Sequence, residues 1–87
     1  MKSIIVYESG EIKEINPLNG KKFGLRELQG YVGGYIEMVG TKSGQVMVVN
    51  ENGKIDGKCM PNLKATTMII YEDLIYGNVV VCDNSLI

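Results

Sequence analysis

Lys21, Lys22 and Arg26 place three cations within six positions, ahead of and inside "LRELQGYV" at 25–32. Leu25, Leu28 and Val32 recur at i, i+3, i+7, which predicts a helix over 25–32. The first N–H groups of a helix lack intrahelical partners, and the helix dipole favours an anion there. Cations beside such donors could hold a phosphate. Glu27 competes for the same place, because its own carboxylate can balance the dipole and leave only a solvated loop. Tyr31 and Tyr35 flank Gly33-Gly34 and offer flat apolar faces with polar tips, suited to interfaces or base stacking. Asn62 could hydrogen-bond the polar edges of a base, or simply cap a second helix. The expected ligand-binding set is therefore Lys21, Lys22, Arg26, Tyr31, Tyr35 and Asn62.

An inventory of catalytic groups points away from an enzyme. The chain has no histidine, so it holds no Ser-His or Cys-His pair. Cys59 precedes a helix start, where a thiolate is favoured, but no base partner accompanies it. Glu37 and Glu51 lie on a strand and a turn with no evident convergence. A zinc site would need an unusual ligand set without histidine or a CxxC motif, so neither metal nor cofactor is expected. Cys59 and Cys82 read as thiols of a reducing cytoplasm, with a disulfide as the alternative.

These residues need elements to position them. "SIIVYE" (3–8) and "EIKEI" (11–15) read as a hairpin turning at Ser9-Gly10. The loop over 16–24 leads into the helix at 25–32. Gly33 stands where a left-handed stop residue is wanted, and Gly34 turns the chain into "YIEMVG" (35–40). A phosphate cradle at this pair would face the wrong end of the helix dipole. "QVMVVN" (45–50) returns as a second hairpin. Asn50 is expected to serve turn backbone. Asn52-Gly53 is a strong hairpin signal, predicting a short return strand over 54–58. "MPNLKATTMIIYED" (60–73) predicts a second helix over 61–71, with Leu63, Thr67 and Ile70 along one face and Ala65 allowing close approach to a sheet. "NVVVC" (78–82) reads as a strand buried on both sides. The sum is one α+β domain over 1–87: a mostly antiparallel sheet of about five or six strands, with two short helices packed largely on one face.

At 87 residues the core is thin, and such domains often gain from self-association. A net charge of −1 argues against duplex nucleic acid as a partner. The charge is uneven. Residues 1–64 carry all nine basic groups and seven acidic ones, whereas 65–87 carry only Glu72, Asp73 and Asp83. Two such poles could attract each other between copies. The N-terminal apolar run is too short for a signal peptide or membrane span, so an intracellular protein is expected.

Four blocks share a familiar order: "LQGYVGGYIE" at 28–37, "VVNENGKIDG" at 48–57, "PNLKAT" at 61–66 and "YGNVVV" at 76–81. Together they resemble a family of small proteins catalogued as a domain of unknown function, number 3846. Asn78 stands where that family usually has Asp, and a Cys-Met pair lies between 57 and 61. The resemblance implies a phage, prophage or mobile-element setting and no catalytic residues to carry over. Taken with the missing catalytic set and the cations beside a helix N-terminus, that setting leads to the expectation of a counter-defence protein in the host cytoplasm that sequesters a nucleotide immune signal as a homo-oligomer, without cleaving it. The alternatives are a direct inhibitor of a host defence protein such as a CRISPR nuclease, and a structural accessory of a mobile element.

Overall fold

The computed structural model describes residues 1–55 and 57–87. Its strands are β1 (Ser3–Val6), β2 (Ile12–Ile15), β3 (Ile36–Gly40), β4 (Val46–Asn50) and β5 (Val79–Cys82). They form one sheet in the order β2-β1-β5-β4-β3, with every neighbouring pair antiparallel. The helices are α1 (Leu25–Val32) and α2 (Leu63–Thr66), followed at the C-terminus by a single 3-10 turn over Asn84–Leu86. The α+β class and both expected hairpins are present, and α1 has the expected bounds.

The apolar run of β5 lies at the centre of the sheet, where Val79, Val80, Val81 and Cys82 are all buried. Alternation divides it between two cores. Val80 pairs with Ile5 and Val48, and this row packs with Leu28 and Val32 of α1. Val81 pairs with Met47, and its row packs with Val39, Ala65 and Ile69 on the other face. The helices therefore cover opposite faces, not one face as expected. A central strand without polar residues exposes apolar surface in both directions, so both must be covered.

The second helix is much shorter than the 61–71 expected. Its last residue, Thr66, and its C-cap, Thr67, are β-branched, and their hydroxyls turn back onto the chain. Thr66 Oγ1 donates to the Asn62 carbonyl at 2.8 Å, and Thr67 Oγ1 to the Lys64 carbonyl at 2.7 Å. The chain then runs beside the end of β3. There Lys42 N–H donates to the Met68 carbonyl at 2.9 Å and Ile70 N–H to the Gly40 carbonyl at 3.3 Å. The expected helical face dissolves accordingly: Leu63 and Ile70 are 69% and 64% exposed, while Ala65 and Ile69 are buried.

The return strand expected over 54–58 does not follow Asn52-Gly53. Gly53 N–H donates to the Asn50 carbonyl and Ile55 N–H to the Asn52 carbonyl, both at 3.1 Å, so successive turns carry the chain away. Position 56 lies outside the described residues. β4 already has β3 and β5 on its two edges, so no edge is left for a returning strand.

Candidate functional site

The cationic loop is held by its own side chains. Asn19 Oδ1 accepts from the N–H groups of Lys21 and Lys22 at 2.8 and 3.0 Å. The Glu27 carboxylate accepts from Gly24 N–H at 3.3 Å and from Leu18 N–H at 3.1 Å. An anion thus already sits over the start of α1, which is the place a phosphate would take. Lys21, Lys22 and Arg26 are exposed around it. Tyr31, further along α1, is half-buried against the α1-side core. Its burial, with the nearby Glu27 carboxylate second, raises its pKa above the ordinary 10.0.

The other end of α1 is built differently. Gly33 has φ 83° and ψ 19°, and its N–H returns to the Gln29 carbonyl at 2.8 Å, a left-handed helix stop. Gly34 answers to packing. A Cβ there would lie 3.0 Å from Asn50 Nδ2. That amide donates to the Val32 carbonyl at 3.2 Å, and Asn50 Oδ1 accepts from Asn52 N–H at 2.8 Å. The side chain of Asn50 thereby ties the end of α1 to the end of β4. Around this tie Gln29, Gly34, Tyr35, Asn50 and Asn52 line an open cleft of about 230 Å³. Tyr35 is 69% exposed, so its ring is available to a ligand. The cleft residues carry no charge.

A more enclosed cavity of about 250 Å³ adjoins Asn50. Its floor includes Val39, Val49 and Ile75, and its walls include Tyr71, Tyr76, Glu37 and Glu51. Gly53 borders it in close contact: a Cβ there would come within 3.2 Å of the Tyr76 carbonyl oxygen. Lys54 and Asp73 form an ion pair at the rim. Its hydrogen bond raises the Lys54 pKa and lowers that of Asp73, which also accepts from Leu74 N–H.

Asn62 stands apart from all of this. It is 0% exposed. Its Nδ2 donates to the Val6 and Gly77 carbonyls at 3.0 and 2.8 Å, while Oδ1 caps α2 by accepting from Ala65 N–H at 3.0 Å. Every one of these bonds is internal, so the residue is a latch between β1, α2 and the segment leading to β5. Cys82 is a free thiol in the α1-side core; burial, with Asp83 second, pushes its pKa from an ordinary 9.0 up to about 11. Cys59 is half-buried, with its Sγ against Gly77.

The six residues expected to bind ligand do not meet. The cations are at one end of α1 and Tyr35 beyond the other, about 12 Å apart along an eight-residue helix at 1.5 Å per residue. Asn62 is inside the protein. Sequence reasoning missed Gln29, whose place beside Gly34 depends on the turn after α1. It also missed the convergence of Glu37 with Glu51, though the register of the second hairpin carries that signal. Glu37 pairs with Val49 and Glu51 N–H donates to the Tyr35 carbonyl at 2.8 Å, which makes the two acids diagonal neighbours.

Among the described residues no helix is long and apolar enough to cross a membrane. No curated protein and no solved structure matches the chain significantly. The family model described as "Domain of unknown function (DUF3846)" matches residues 1–85. The chain therefore belongs to that family.

Proposed function

We propose that this protein is a non-catalytic binder that sequesters a nucleotide-type small molecule, seated by its base in the cleft of Gln29, Tyr35, Asn50 and Asn52. The observation that carries this reading is the exposed Tyr35 ring beside uncharged amides, held by a helix stop and a strand end. An aromatic face stacks on any base, and the Gln29 and Asn52 amides pair with its polar edge, while buried Asn50, bonded to Val32 and Asn52, holds the cleft in shape. Glu27 already serves the helix start, so Lys21, Lys22 and Arg26 act at longer range, attracting an anionic ligand in a salt-dependent way. The cleft, at about 230 Å³, falls below the roughly 300–1,000 Å³ that encloses a drug-sized ligand. A second copy would supply the remaining wall, so the working form is a homo-oligomer. Set in a mobile element, as the family resemblance suggests, such a protein would withdraw a nucleotide immune signal from the host cytoplasm.

Calorimetry against linear and cyclic nucleotides, ADP-ribose derivatives and their free nucleosides tests this. Binding should persist for the nucleoside moiety, and the ligand should be recovered intact after heat denaturation. Tyr35→Ala should weaken binding by roughly 5- to 150-fold, the value of one stacked base. Silence across the panel would overturn the reading. A second reading, docking on a host defence protein, is favoured by exposed Met60, Leu63, Ile70 and Tyr71 around α2. It predicts a stable complex with that protein which Leu63→Asp abolishes and Tyr35→Ala leaves intact.

A further inference from the structure

The cavity beneath Tyr71 and Tyr76 has chemistry unlike that of the neighbouring cleft. We propose that it seats an organic cation, an ammonium or guanidinium group, carried by a free polyamine or by the tip of a partner's lysine or arginine side chain. Its volume of about 250 Å³ suits one such group rather than a whole cofactor. Its floor of Val39, Val49 and Ile75 is buried and apolar. Two tyrosines stand in the wall, and tyrosine faces attract cations through the ring quadrupole.

The carboxylates decide the sign. Among the described residues, Glu37 and Glu51 have no ion pair and no side-chain hydrogen bond. Lys54 is the one cation in the lining, and it is held by Asp73 at the rim. That pair ties the turn after β4 to the segment before β5, which holds the mouth in shape without neutralising the other two acids. A phosphate would be repelled here. A hydrated divalent ion would want six or more oxygen ligands, and an apolar floor with aromatic walls does not provide them. An organic cation uses every component: rings for its alkyl and charged surface, and carboxylates for its N–H donors.

Titration of the ¹⁵N-labelled full chain followed by NMR tests the assignment. Spermidine, a capped lysine- and arginine-containing peptide, and the same peptide with its lysine acetylated and arginine replaced by citrulline would be compared. Saturable shifts should centre on Glu37, Glu51, Tyr71 and Tyr76 and diminish with salt. Response to spermidine alone would assign a free polyamine, and response to the charged peptide alone a partner's side chain; either supports the proposal. Glu37→Gln with Glu51→Gln should weaken binding by about tenfold or more at unchanged Tm. Tyr71→Leu, at an exposed wall position, should weaken it with the fold intact. The absence of saturable shifts, equal response to the neutral peptide, or full binding by the Gln double variant would overturn it. Tyr35→Ala should leave this titration unchanged, so its failure and that of the nucleotide reading are separable.

Discussion

A buried amide and a buried thiol show most directly what single residues do here. Asn62 satisfies two carbonyls and one N–H in the interior. Asn62→Ala leaves those groups unpaired and should cost about 2–4 kcal/mol, from one lost cap and buried carbonyls without donors. Asn62→Asp should cost more, because it keeps the cap but turns a carboxylate oxygen toward two carbonyl oxygens. Urea unfolding checks the order, and a milder Asp variant would refute the latch. Cys82 makes a prediction in pH. Its folded pKa is raised to about 11 from 9.0, so between those values the folded state keeps a proton that the unfolded state loses. Stability should therefore fall as pH rises from about 9 and level off beyond about 11. The difference between wild type and Cys82→Ala isolates that slope from other groups titrating nearby. Native Cys82 should also resist alkylation near pH 8, because only the thiolate attacks.

At the scale of elements, the end of α1 carries the clearest test. Gly33 and Gly34 are adjacent glycines with different duties. Gly33→Ala meets nothing within 4 Å, so its cost is conformational, at least about 1 kcal/mol for the left-handed region. Gly34→Ala instead pushes on the Asn50 amide and should loosen the bond from Asn50 to Val32. Hydrogen exchange should separate them. Gly33→Ala should lower protection along α1, and Gly34→Ala at the junction of α1 with β4. The stop function of Gly33 was legible in the sequence, because a short-range rule demands a left-handed residue after a helix. The duty of Gly34 was not, since Asn50 reaches it from another element. The length of α2 was misread for a related reason. Its apolar spacing fits a helix, but Met68 and Ile70 find partners just beyond β3 and at its end, in Lys42 and Gly40, that periodicity does not register.

Across the whole molecule, the charge poles expected from composition are partly spent within one chain. Of the three acids in 65–87, Asp73 pairs with Lys54 and Asp83 with the N-terminal amine at 3.6 Å. Association would then rest on the open cleft and the exposed apolar residues around α2, not on opposite poles. The single chain has a Cα radius of gyration of 11.7 Å. Small-angle scattering of the ligand-bound protein should give a clearly larger value, and Tm should rise with protein concentration. A radius that stays near the single-chain value in the presence of ligand would remove the second wall of the cleft.

Local rules acting over a few residues set the alternation of the strands, the bounds of α1, the stop at Gly33 and the buried run of β5. The family was legible separately, through the resemblance of four short blocks in order. The sharing of the two sheet faces between the helices was decided by tertiary structure. So was the scattering of the six expected ligand residues and the meeting of Glu37 and Glu51 with Tyr71 and Tyr76. Those outcomes depend on which strand takes which edge and on bonds such as Asn62 to Val6, 56 positions apart. Burial selects such partners only after the chain has collapsed, because water solvates a polar group equally well wherever its eventual partner lies in the sequence.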